Sequence, residues 1–172
     1  FYAGLVGRWW FEAVARIPMD GDVAGEFRYR APPMPDKGLG LLVSQSGETA
    51  DTMAALRYMR DQGQTVLSIV NVPESSMARE SDGVLETVAG PEVGVASTKA
   101  FTAQLSVLAC LALAAGRARG AIGAEEEARM TAALLEVPER AAEVLEKDAA
   151  IQAIAQRVAR ARDVLFLRSE EH

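Results

Sequence analysis

Ser44-Gln45-Ser46-Gly47-Glu48-Thr49 concentrates hydrogen-bond donors between an apolar run and an amphipathic one. The hydroxyls of Ser44, Ser46 and Thr49 and the amide of Gln45 can all donate to an anion. Gly47 permits a tight turn, and a helix starting at Thr49 would add unpaired N–H groups and a partial positive charge. Together these suit a phosphate at a helix N-terminus. No lysine or arginine stands in the turn, so neutral donors and the helix dipole would have to hold it. Glu48 and Asp51 favour a helix start but repel a phosphate, so their carboxylates are expected to point away, toward a neighbouring turn or subunit. Composition alone suits a plain strand-to-helix turn capped by Thr49 equally well. The turn lacks the terminal Gly-Lys-Ser/Thr of a P-loop and the spacing of a dinucleotide fingerprint.

A second polar segment runs from Gly90 to Lys99. Ser97 and Thr98 read as helix caps or as sugar contacts. Lys99 is a candidate Schiff-base lysine or a solvated charge. Glu92 is a candidate general base.

The elements that must carry these turns alternate. Gly40–Val43 and Thr65–Val70 are short apolar runs, and Val84–Val88 predicts a third strand. Between them Thr49–Gln62 places Met53, Leu56 and Met59 on one helical face, with Gly63 as its C-cap, and Ser75–Glu80 predicts a short helix. Such alternation predicts βαβ units, a parallel sheet and ligands beyond the strands' carboxyl ends, where both polar segments fall. Upstream, Leu5, Trp9, Ala13 and Ile17 predict one face of a helix over Ala3–Ile17, with Trp9 and Trp10 packing in a core or an interface. Asp22–Tyr29 starts like a short strand and Ala31–Pro35 is a stiff loop. Downstream come a long helix from Lys99 to Arg117, further helices over Ala124–Arg162 and a strand at Val164–Leu167.

Composition excludes several classes. The net charge of −6 and the lack of a basic stripe argue against nucleic acid. Cys110, the one cysteine, cannot form an internal disulfide and reads as a small core hydrophobe. The apolar run Val107–Ala115 falls short of the roughly 20 residues a bilayer requires. A cytoplasmic protein without membrane partners is the expectation.

Trp10-Phe11-Glu12, Glu26-Phe27-Arg28-Tyr29-Arg30, the Ser44–Thr52 run, Asn71-Val72-Pro73, Arg79-Glu80-Ser81-Asp82 and Glu92–Thr102 follow one another at fitting separations. Over residues 1–167 they resemble the first sugar-isomerase (SIS) subdomain of the glutamine–fructose-6-phosphate aminotransferase family. The resemblance implies a three-layer αβα sandwich around a mainly parallel sheet. It implies that Ser44, Gln45, Ser46 and Thr49 hold the substrate phosphate, and that Val95, through its backbone, and Ser97 contact the sugar. That family makes glucosamine 6-phosphate from fructose 6-phosphate and glutamine, as a homodimer, without metal or organic cofactor in this step. A glutaminase domain releases the ammonia, and two SIS subdomains carry out amination and isomerisation.

The match has gaps. The glutaminase domain and its nucleophilic cysteine are absent, and Phe1 falls after the family's first strand and its Gly-Thr-Ser turn. The family's Schiff-base lysine, enediol-forming glutamate and ring-opening histidine belong to the second subdomain and map onto no residue here; His172 is not that histidine. The expectation is therefore a partial domain over 1–167 that binds substrate and carries no catalytic residue. Arg168-Ser169-Glu170-Glu171-His172 departs from the family's glycine-containing turn and matches the translation of a sequencing-adapter end, which marks 168–172 as a non-native tail. The alternatives are a stand-alone sugar-phosphate sensor and a SIS aminotransferase or deaminase without a glutaminase domain.

Overall fold

Leucine, isoleucine and valine dominate two strands, β1 (Leu39–Val43) and β2 (Thr65–Val70), because both faces of the sheet are covered. With β3 (Gly83–Glu86) they form a parallel sheet of order β1-β2-β3. Leu39 lies opposite Thr65 and Val43 opposite Ile69; Leu67 lies opposite Gly83 and Val70 opposite Glu86. The computed structural model describes residues 1–93 and 99–165. They fall in two compact units, Phe1–Met130 and Thr131–His172.

The sheet belongs to the first unit. On one face, Leu42, Val66 and Val70 pack with Met53 and Leu56 of α3 (Ala50–Asp61), Met77 of α4 (Ser76–Glu80) and Phe27 of α2 (Ala24–Arg30). On the other, Leu41, Val43, Ile69 and Leu85 meet Ala3 of α1 (Tyr2–Trp10), Phe11 and Ala15 of the π-helical turn that continues it (Phe11–Ala15), and Leu108 and Ala112 of α5 (Lys99–Ala118). This is the expected three-layer sandwich. Each Leu, Ile, Val or Met so buried contributes about 1.5–3 kcal/mol. The buried Ser68 hydroxyl is satisfied by Ser81 Oγ at 2.5 Å, so a polar residue in β2 does not orphan a hydrogen bond.

Several elements differ from the sequence reading. Asp22–Tyr29 starts no strand: Ala24–Arg30 is helical, with Glu26 in the first turn and Arg28 and Arg30 in the last, the charge order that suits the helix dipole. Ala24, Gly25 and Glu26 are also poor strand formers. The inward face of the first helix is the one carrying Ala3, Gly7 and Phe11 at steps of four, not the Leu5, Trp9 and Ala13 face, so Trp9 stays 74% exposed. Trp10 alone of the pair packs against the core. Cys110 is exposed rather than core, because α5 buries the face carrying Gln104, Leu108 and Ala112. By length and composition α5 matches a membrane span, yet a third of that window is buried in the protein core. Gly63 occupies the left-handed conformation expected after α3, with φ of 73°.

In the second unit, the latter part of α6 (Ala124–Leu145) and α7 (Asp148–Val158) bury no residue, and Leu135, Leu145 and Ile154 are exposed. Arg140 pairs with Glu136 and Glu143 along α6. Val164 and Leu165 are not in a strand; Phe166 and Leu167 lie outside the described residues.

Candidate functional site

The donor-rich turn leaves the carboxyl end of β1 still tied to the sheet. Ser44 donates its backbone N–H to the Ile69 carbonyl at 3.0 Å, and its buried hydroxyl accepts from Gly47 N–H at 3.0 Å. Ser46 Oγ accepts from Glu48 N–H at 3.2 Å. The chain reverses at Gly47, whose φ of 67° favours glycine. A Cβ there would run into Ser75 Oγ and lie 2.5 Å from Ser75 Cβ, so both the backbone and the space demand glycine.

The turn rests on the segment after β2. Asn71 N–H donates to the Gln45 carbonyl at 3.0 Å, and Met77 N–H donates to the Gly47 carbonyl at 3.1 Å. Glu48 Oε1 accepts from Ser76 N–H at 2.7 Å, and this bond, above all, holds the Glu48 carboxyl below the usual carboxylate range. Asp51 Oδ1 accepts from Arg28 Nη1 at 2.8 Å. Both carboxylates therefore turn away from the donors, Glu48 to the start of α4 and Asp51 to α2.

Thr49 is the residue at the N-cap of α3, but its hydroxyl makes no capping bond. It lies instead 3.5 Å from Ser44 Oγ. The N–H groups of Ala50, Asp51 and Thr52 have no acceptor among the described residues. A capped turn would have satisfied one of them. Two hydroxyls and the free N–H groups of a 12-residue helix thus occupy the carboxyl edge of the sheet, with no carboxylate among them.

The second polar segment is described only in part. Glu92 Oε2 accepts from Ala100 N–H at 3.4 Å at the start of α5, and Lys99 is exposed. Val95, Ser97 and Thr98 lie outside the described residues. Sequence reasoning counted Asn71 only within a motif of the resemblance and gave it no role: its side chain accepts from Thr87 Oγ1 and Ala89 N–H, each at 2.9 Å, and donates to the Gly90 carbonyl at 2.8 Å. The signal was its place directly after β2, at a carboxyl edge. An open apolar hollow between β3 and α5, lined by Leu85, Val107, Cys110 and Leu111, has one carboxylate, Glu86, and no cation, which does not suit an anion.

Fold and site together define an open parallel α/β domain with a free helix N-terminus at the carboxyl edge of its sheet. The SIS domain model matches residues 1–114, and the chain belongs to that family. It is 60% identical over 167 residues to the glutamine–fructose-6-phosphate aminotransferase (isomerizing) of Gluconobacter oxydans, covering 97% of this chain and 28% of that protein. The protein of the same name from Mesorhizobium japonicum is 56% identical over the same coverage. Among solved structures, the C-terminal domain of glucosamine-fructose-6-phosphate aminotransferase from Francisella tularensis superposes with a TM-score of 0.87 at 39% identity, covering 90% of this chain and 43% of that one. The chain thus spans about a quarter of the length of these curated relatives.

Proposed function

We propose that this chain is the phosphosugar-binding part of a glutamine–fructose-6-phosphate aminotransferase. The observation that supports it most is Thr49, which stands at the cap position of α3 yet leaves the helix N–H groups unpaired and turns its hydroxyl to Ser44. Ser44, Ser46 and Thr49 hydroxyls, the Gln45 amide and the α3 N-terminus then take the phosphate. Val95, through its backbone, and Ser97 take the sugar, on the strength of the family resemblance. Hydrogen bonds to a charged group contribute about 1.5–3 kcal/mol each, so these neutral donors suffice without an ion pair.

Binding, not turnover, is assigned to these 172 residues. Amination and isomerisation belong to the whole protein, read as a cytoplasmic homodimer that needs no cofactor for this step. Isothermal titration of the chain with fructose 6-phosphate and glucosamine 6-phosphate tests the reading. Weak binding of both without aminotransfer is expected. Absence of binding to either sugar phosphate, or aminotransfer by the chain alone, would overturn it.

A further inference from the structure

At the carboxyl edge of the sheet, one residue of the segment after β2 bonds to the loops after both neighbouring strands. Asn71 terminates β2. Its backbone N–H holds the turn after β1 through the Gln45 carbonyl at 3.0 Å. Its side chain holds the loop after β3 at Thr87, Ala89 and Gly90 with three bonds of 2.8–2.9 Å. An asparagine side chain is the right tool, because Oδ1 accepts two donors while Nδ2 satisfies a carbonyl.

The loop it holds is strained. Val88 has φ of 51°, a left-handed conformation that a β-branched residue strongly disfavours. Its side chain is 83% exposed, so burial does not stabilise that conformation. Asn71 instead grips the residues on either side, Thr87 and Ala89, and then Gly90, itself at φ of 68°. Strained backbone persists where its surroundings over-determine it.

We infer that Asn71 is a positioning residue: its side chain sets Thr87–Gly90, just after β3, against the anion turn and thereby determines affinity for the part of the ligand beyond the phosphate. This rests on the binding reading above. The backbone bond to Gln45 survives any substitution but proline, so the two halves of the site can be separated experimentally.

The test compares Asn71→Ala and Thr87→Val with the unaltered chain, titrated with fructose 6-phosphate and with inorganic phosphate, alongside thermal melting. Thr87→Val keeps the shape and removes one donor, so it reports even where Asn71→Ala folds poorly. Both variants should lose sugar-phosphate affinity, by about fivefold for one bond and more for three, while inorganic phosphate changes less than about twofold. Equal loss for both ligands, or no loss for either, would overturn the inference while leaving the binding reading intact. No binding of either ligand by the unaltered chain would sink that reading and this inference with it.

Discussion

Gly47→Ala should cripple the turn, and the size of the effect follows from two separable terms. The backbone φ of 67° costs an alanine about 1–2 kcal/mol. The new Cβ would also meet Ser75 Oγ, with Ser75 Cβ at 2.5 Å and Val70 Cγ1 at 3.3 Å, and overpacking of this kind costs about 1–3 kcal/mol. Together the expected destabilisation is about 2–5 kcal/mol, a large share of a domain's stability. Urea denaturation measures it. Ser75→Gly isolates the second term: it removes the colliding atoms and costs only a few tenths of a kcal/mol as a cap of α4. The double variant should recover the contact term and keep the backbone term. A Gly47→Ala chain within about 0.5 kcal/mol of the parent, or no recovery from Ser75→Gly, would show that the turn is not packed as described.

Thr49→Val should leave the melting temperature essentially unchanged, because the hydroxyl caps no helix N–H, yet weaken sugar-phosphate binding about tenfold or more. A stability loss near 1 kcal/mol would instead identify Thr49 as a cap. The Glu48 carboxylate, depressed by Ser76 N–H, stabilises the fold above its ordinary value of 4.5, and that contribution fades as pH falls through the lower folded value. Glu48→Gln should therefore flatten the acid limb of a stability-versus-pH curve; an unchanged limb would refute the assignment. Val88→Gly relieves about 1–2 kcal/mol of backbone cost against about 0.5–1 kcal/mol of added chain entropy, so a slightly higher melting temperature is expected in a thermal scan.

The parallel sheet was legible because Leu41–Val43 and Val66–Val70 are apolar on both faces, a pattern that surface strands do not show. α3 was legible from Met53 and Leu56, and its end from Gly63. Less could be read where tertiary contacts choose between options that composition leaves equal. Ala24–Arg30 carries no clear period, and its helix is anchored by tertiary contacts, Phe27 against Tyr58 and Arg28 with Asp51. The first helix hid its inward face because the small residues Ala3 and Gly7 line it, where they pack against the core, while the bulkier Leu5 and Trp9 mark a competing stripe at the same spacing of four. Cys110 was misplaced because polar residues mark both sides of α5: Gln104 lies on the buried face, while Thr102 and Ser106 share the exposed face with Cys110.

The site was legible in outline for the same reason. Ser44, Ser46 and Thr49 are conspicuous donors, and the opposite carboxylates were expected to turn away, as Glu48 and Asp51 do. Whether Thr49 capped its helix was undecidable from residue types, since threonine serves both ends. Asn71 stayed hidden because its partners, Thr87, Ala89 and Gly90, lie 16–19 residues onward.

The central claim is that phosphate sits on the turn after β1. Amide resonances of an isotopically labelled chain, followed during titration with fructose 6-phosphate and with fructose, test it most directly. Shifts concentrated at Gln45, Ser46 and Ala50–Thr52, with fructose 6-phosphate and not with fructose, are the expected result. Shifts absent from those amides, or equal for the two sugars, would contradict the account.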